Sequence, residues 1–298
     1  MKLLIYLFFR SFVFLFSIIP FRILYVFSDG IYYLIYFLVG YRKKVVFANL
    51  RRSFPEKSEE EINKIARKFY HFLCDMLVES MKAFSMKESD VVKRYKYENL
   101  GFLEDIYKQG KSAICVGGHY NNWEWAGIAS GTQLKHIPVG FYKPLTNKRV
   151  DAFVQKTRVR GRSLLVSISN TAAVFSKDYG EPAIFYMVAD QSPSSLRFSY
   201  WTRFLNQDTA TLHGPEKYAI LYNIPVVFAY PRRVRRGYYI LDFSMLVQDP
   251  SKTAPGEITQ IYMSALEKVI REKPEYYLWS HRRWKHTREH KGADSAKM

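Results

Sequence analysis

A histidine at 119 and a glutamate at 124 stand five positions apart inside Val116-Gly117-Gly118-His119-Tyr120-Asn121-Asn122-Trp123-Glu124-Trp125. Histidine is the side chain whose ordinary pKa lets it take up and release a proton near neutrality. A carboxylate on one ring nitrogen fixes the tautomer and leaves the other nitrogen free to act as a base. Residues five apart on a helix do not share a face, whereas residues three or four apart do. The two side chains therefore meet only if His119 occupies a loop and Glu124 the first turns of a following helix, with Gly117-Gly118 as a pliable turn before them. No serine or cysteine precedes His119 in a nucleophile elbow. The arrangement thus implies a base acting directly on a substrate hydroxyl, rather than a covalent enzyme intermediate. Spacing alone is a weak signal, since the same pair arises as a helix-capping histidine beside an exposed glutamate.

The elements that must position this pair read as alternating strands and helices. Ser112 to Val116 is a short apolar strand ending at the glycines, and Trp123 to Ala129 begins a helix. His136–Tyr142, Leu164–Ile168, Ala183–Val188 and Val226–Tyr230 read as further strands. Helices are expected at 101–109 (stopped by Gly110), 147–160 (stopped by Gly161), 171–177, 214–222 and 257–271. Tyr238 to Leu246 alternates and is expected antiparallel to its neighbour. Ser58 with Glu61 forms a capping box opening a long amphipathic helix to about Ala83, on which His71 reads as a structural histidine. Strand–helix alternation of this kind predicts an α/β fold, a mostly parallel mixed sheet flanked by helices. His119 then lies beyond the carboxyl end of a strand and at a helix N-terminus, both places where open α/β sheets bind ligands and anions. Asp190-Gln191 also follows an apolar strand and is expected at the same sheet edge, shaping the site or touching the substrate, with a purely structural turn as the alternative.

Of 298 residues, 48% are hydrophobic, and the formal net charge is +18. Such a charge calls for an anionic partner: nucleic acid, a phospholipid surface or a phosphorylated substrate. An aromatic content of 17% favours the membrane interface over DNA. Residues 1–40 are strongly apolar but are interrupted by Arg10, Pro20, Arg22 and Asp29. They predict an N-terminal membrane-attachment helix, with a buried N-terminal core helix as the alternative. Leu3 to Ile19 could span, with Arg10 costing roughly 2.5–3.5 kcal/mol at mid-depth, and a cleaved signal peptide is not expected. Arg42, Lys43, Lys44, Arg51 and Arg52 follow and by the positive-inside rule face the cytoplasm. A catalytic domain is expected over 41–290, and a polar tail over 291–298. Cys74 and Cys115 read as buried free thiols. No metal or nucleotide motif is present, so no cofactor is expected. A basic membrane-associated binding protein is the non-enzymatic alternative, but it leaves the glycine–histidine loop unexplained.

The sequence resembles the late acyltransferases of lipid A biosynthesis, within the lysophospholipid and glycerol-phosphate acyltransferase superfamily marked by His-x4-Asp/Glu. The resemblance is carried by the apolar N-terminus, Asn49-Leu50-Arg51-Arg52-Ser53-Phe54-Pro55-Glu56, the stretch from Gly118 to Glu124 and Arg160-Gly161-Arg162. It continues through Ala189-Asp190-Gln191, Phe204 to Gly214-Pro215, Ile224-Pro225-Val226-Val227 and Pro274 to Lys285. It implies an enzyme on the cytoplasmic face of the bacterial inner membrane, with acyl carrier protein thioester as donor and a lipid A precursor as acceptor. Another glycolipid, aminolipid or lysophospholipid is the alternative acceptor. By position, His119 would deprotonate the acceptor hydroxyl and Glu124 would orient it. Backbone amides near Gly118 and the side chains of Arg160 or Arg162 would stabilise the oxyanion or bind acceptor phosphate. Arg158 reads as a solvated surface charge. Arg232-Arg233-Val234-Arg235-Arg236 docks the carrier protein or headgroups, or forms a hairpin turn. His281 to Lys285 reads as an interfacial anchor, and His213 as a local cap.

Overall fold

The computed structural model describes residues 1–288, and the polar tail expected over 291–298 lies outside them. The chain opens with two apolar helices, α1 (Lys2–Ile18) and α2 (Phe21–Tyr33), separated at Pro20 and followed by a π-helical turn, Leu34–Val39. Neither helix stands free. Lys82 caps the end of α1 by donating to the carbonyls of Phe16, Ser17 and Ile19, and Arg10 lies over the Phe153 ring. The other faces stay bare: Phe8, Phe14, Val26, Phe27 and Leu38 are all exposed. Phe21–Val39 is long and apolar enough to cross a membrane.

Next come α3 (Lys43–Ser53) and α4 (Glu59–Ala83). Both bonds of the expected capping box are present: Ser58 Oγ accepts from the Glu61 amide, and Glu61 accepts from the Ser58 amide. The α/β core then runs α5 (Glu88–Arg94), β1 (Tyr95–Glu98), α6 (Gly101–Lys108), β2 (Ala113–Gly117), α7 (Trp123–Gln133) and β3 (Ile137–Tyr142). It continues through α8 (Lys148–Arg158), β4 (Leu164–Ser167), α9 (Thr171–Phe175) and β5 (Ala183–Val188), and a separate hairpin of β6 (Ser199–Phe204) and β7 (Gln207–Leu212). The last elements are α10 (Gly214–Tyr222), β8 (Val226–Arg235), β9 (Tyr238–Val247) and α11 (Glu257–Glu272).

Seven strands form one sheet in the order β1-β9-β8-β2-β5-β3-β4. All neighbours are parallel except β8 and β9, which pair antiparallel as the alternating pattern predicts. Strand periodicity divides the core. Ile114 and Val116 pack on one side with Phe69, Leu266 and Ile270, whereas Ala113 and Cys115 pack on the other with Trp125, Ile128 and Leu103. Both sheet faces are covered, and both cysteines are buried and free. β1 and the β6–β7 hairpin are elements the sequence reading did not identify. Tyr95–Glu98 is a short edge strand, and the hairpin turns at Leu205 and Asn206, both in the left-handed region, with no Gly to announce it.

Candidate active site

β2 and β5 are parallel neighbours, and their register sets Gly117 opposite Val188. His119 lies two residues past Gly117 and Asp190 two past Val188, so the register delivers both to one point beyond the strand ends. There His119 Nδ1 is 2.7 Å from Asp190 Oδ1, and the His119 amide donates to Asp190 Oδ2 at 2.9 Å. This bidentate grip fixes both the ring and the backbone. With Nδ1–H donated to the carboxylate, Nε2 carries the free lone pair.

Electrostatics agree with that assignment. Burial pushes the His119 imidazole down, but the charge and hydrogen bond of Asp190, helped by Glu124, outweigh it and hold its pKa above the ordinary 6.5. Burial pushes the Asp190 carboxyl up. The charge of His119, the two hydrogen bonds from it and the Arg283 guanidinium more than offset this, and Asp190 stays below its ordinary 3.8. Arg283 is itself buried, donating to the Ala210 carbonyl at 2.7 Å. Trp284 donates to Thr209 Oγ1 at 2.8 Å. Arg283 and Trp284 of the segment expected as an interfacial anchor are thus turned inward, while Arg282 and Lys285 stay exposed, and the Arg283 cation supports the Asp190 charge.

Glu124 sits elsewhere than the spacing argument put it. It lies in the first turn of α7, as required, but its carboxylate takes Arg158 at 2.7 Å. Asp190 occupies the orienting position on His119 that Glu124 was expected to fill. Arg158, expected as a solvated charge, is only about one-third exposed and lines a cavity with Gly118, Trp123 and Glu124. Arg160 donates to the carbonyls of Ala83 and Met86 at 2.6 Å each, fastening the end of α4. Arg162 pairs with Glu181 at the surface. Neither reaches the His119 loop: Arg160 is committed to carbonyls, and Arg162 to an exposed carboxylate. Gln191, next to Asp190, is half-buried.

The glycines serve close packing rather than flexibility. A Cβ on Gly117 would lie 2.8 Å from the Ala229 carbonyl oxygen, and one on Gly118 would lie 2.7 Å from Leu266 Cδ1. The left-handed residue that turns the loop is Asn121. The loop is held from outside by the segment after α11. The Asn121 amide donates to the Tyr276 carbonyl, and the Leu278 amide donates to the His119 carbonyl. Asn49 holds that segment in turn through the carbonyls of Trp279 and His281.

A cavity of about 190 Å³ runs from this point between α7 and the sheet, lined by Cys115, Ile128, Pro138, Leu165, Tyr186 and Val188. A second apolar groove, between α1 and α4, reaches the same Glu124–Arg158 pair through Phe12, Phe16, Met81 and Phe84. The ion pair thus stands where two apolar spaces meet beside His119. The basic run at the end of β8 is largely paired within the fold: Arg232 pairs with Asp242, Arg233 with Asp75, and Arg236 with both Asp29 and Asp75, while Arg235 stays exposed. That network also engages the carboxylates of Asp29 and Asp75, which with His71 stand close enough to share an ion; both are already neutralised by arginine.

The family model for bacterial lipid A biosynthesis acyltransferases matches residues 2–286. The chain belongs to the bacterial lipid A biosynthesis acyltransferase family. It is 26% identical over 272 residues to a lipid A biosynthesis lauroyltransferase of Escherichia coli (strain K12), covering 90% of this chain and 87% of the relative. It is 25% identical over 247 residues to a lipid A biosynthesis palmitoleoyltransferase of the same organism, covering 82% and 79%. A lipid A biosynthesis acyltransferase of Haemophilus influenzae is 25% identical over 252 residues, covering 83% and 79%. In this acyltransferase the histidine five residues before Glu124 is gripped by Asp190, 71 residues downstream.

Proposed function

We propose that the chain transfers a fatty acyl group from an acyl carrier protein thioester to a hydroxyl of a lipid A precursor at the cytoplasmic face of the inner membrane. The observation that carries the reading is the His119 imidazole, held by Asp190 at 2.7 Å beside an apolar cavity, in a chain of the lipid A acyltransferase family. Nε2 of His119 takes the proton from the acceptor hydroxyl as its oxygen attacks the thioester carbonyl carbon. Asp190 stabilises the imidazolium that results. The tetrahedral oxyanion requires donors; Arg158 and the backbone near Gly118 are the groups placed for it. As the carbon–sulfur bond breaks, the imidazolium returns the proton to the thiolate, restoring neutral His119. The donor's acyl chain lies in the cavity between α7 and the sheet.

The bare apolar faces of α1 and α2 support attachment of residues 1–40 to the bilayer, with 41–290 as the catalytic domain. Arg232 to Arg236 is assigned to the β8–β9 hairpin turn rather than to docking the carrier protein or headgroups, because three of its four arginines pair with carboxylates of the fold. The test is a comparison of lipid A masses from cells with and without the gene. The proposal predicts loss of one acyl chain from lipid A in the deletion strain. An unchanged lipid A with a change in another lipid would transfer the same chemistry to a different acceptor.

A further inference from the structure

Glu79 lies near the end of α4 and is fully buried. Its carboxylate has three neutral donors. Tyr25 gives its hydroxyl at 2.8 Å, Asn122 its amide at 2.6 Å and Tyr239 its hydroxyl at 2.7 Å. The Glu79 carbonyl takes the Trp125 indole N–H at 3.1 Å. Asn122 caps α7 by accepting from the Trp125 amide at 3.0 Å. Its own amide donates to the side chain of Asn121, the residue that turns the loop. The residues gathered by Glu79 thus include Asn122, inside the turn between His119 and Glu124, and Trp125, just beyond it.

Tyr25 approaches from the opposite direction. It belongs to α2, whose far face exposes Ile23, Val26 and Phe27. Phe21, one turn earlier on α2, places its ring edge against Trp125 at 5.9 Å. The same helix is seated by Ser28 donating to Asp75 and by Asp29 pairing with Arg236. A buried carboxylate with no cation of its own is costly unless fully hydrogen-bonded, and the nearest guanidinium, Arg233, is already held by Asp75. An amide or an apolar side chain would fill the same space at lower cost if packing were its only duty.

We propose that Glu79 is a positioning residue that locks the Asn122–Trp125 turn beside His119 to the membrane-side helix α2, so that the seating of α2 sets the geometry of the catalytic turn. The inference rests on His119 being the base. Burial pushes the Glu79 carboxyl up to about 7, against the hydrogen bonds from Tyr239 and Tyr25; the Asp75 charge adds to the rise and Arg233 opposes it. The lock therefore titrates near neutrality: a protonated Glu79 has one acceptor oxygen fewer for its three donors.

Two full-length variants test this, Glu79→Gln and Tyr25→Phe, in vesicles of anionic phospholipid, read by turnover and by amide hydrogen exchange. Gln keeps the shape and one acceptor oxygen; Phe removes only the Tyr25 hydrogen bond and leaves the Phe21–Trp125 contact. Both are expected to lower kcat about tenfold with the donor KM unchanged, as for loss of one charge-assisted hydrogen bond. Both are expected to accelerate exchange at residues 120–126 while leaving α11 at the wild-type rate. Glu79→Gln should also leave the acid limb of kcat to His119 alone, whereas Tyr25→Phe keeps both titrating groups. Wild-type exchange at 120–126 in folded variants overturns the lock, as does faster exchange spread evenly through the protein. Faster local exchange with wild-type kcat overturns its role in turnover. Should His119→Ala retain activity, the reading of His119 fails, and the exchange data still decide whether Glu79 ties α2 to the turn.

Discussion

Replacing Asp190 by Asn probes the site most sharply, because the carboxylate accepts two bonds from one residue. One oxygen faces His119 Nδ1 and the other faces the His119 amide. An asparagine can accept only one of them. If its oxygen meets the backbone N–H, its NH2 faces Nδ1, and the ring must shift its proton to Nε2, the tautomer that cannot act as a base. If its oxygen meets Nδ1–H, its NH2 opposes the backbone N–H and the loop must move. Either outcome is expected to lower kcat by roughly 10²–10⁴, equivalent to about 2.7–5.4 kcal/mol at 1.36 kcal/mol per decade. The pH profile carries a second signature. Catalysis needs neutral His119, so kcat rises with pH through its pKa, which Asp190 holds above 6.5. Without the carboxylate charge the main opposition to burial is gone, and the acid limb shifts to lower pH. The assay is product formation from acyl carrier protein thioester across pH 5–9. A variant within a few-fold of wild type, or one whose acid limb does not move, would refute the assignment of Asp190.

Glu124→Gln should move the acid limb less than Asp190→Asn does, since Glu124 is the smallest contributor to the His119 shift and is bound to Arg158; its loss of activity should arise instead through a misplaced Arg158. Arg160→Ala is expected to lower Tm, by loss of about 1–3 kcal/mol of bonding to the Ala83 and Met86 carbonyls, while the acceptor KM stays unchanged in the folded protein. Glu216→Gln should cost about 1.5–3 kcal/mol in a denaturant titration, because that buried carboxylate accepts from the Gly256 and Thr259 amides and the Thr259 hydroxyl at the start of α11, where the N-cap Gly256 offers no side chain of its own. The stability of the His119–Asp190 pair has a defined window. The raised His119 pKa contributes fully below about 6.5 and is lost as pH rises through the folded value; the lowered Asp190 pKa contributes above about 3.8 and is lost as pH falls through its folded value. Difference melts of wild type against Asp190→Asn should therefore be largest between those limits and shrink on both sides.

The alternation of apolar runs and turn signals made the sheet, its flanking helices and the antiparallel β8–β9 pair legible, since both periodicities are local. Ser58 and Glu61 likewise announced the start of α4, because a capping box is closed within four residues. The partner of His119 was not legible in the same way. Asp190 could be placed at the end of an apolar strand, but strand order is a long-range property. Only the adjacency of β2 and β5, with Gly117 opposite Val188, turns two strand ends into one site. The five-residue spacing drew attention to Glu124, whose guanidinium partner arrives from α8, 34 residues on. Arginine runs misled for the same reason. Arg160, Arg233, Arg236 and Arg283 read as available cations, yet each meets carbonyls or carboxylates supplied by distant elements. Glu79 gave no signal at all, being one more polar residue on an amphipathic helix until Tyr25, Asn122 and Tyr239 converge on it.

The most direct measurement is mass spectrometry of a lipid A precursor incubated with the purified full-length protein and an acyl carrier protein thioester, for wild type and for folded His119→Ala. The account predicts that the wild-type protein adds the mass of one acyl chain and that His119→Ala adds none. An unshifted precursor with the wild-type protein, or an acylated product with His119→Ala, would contradict it.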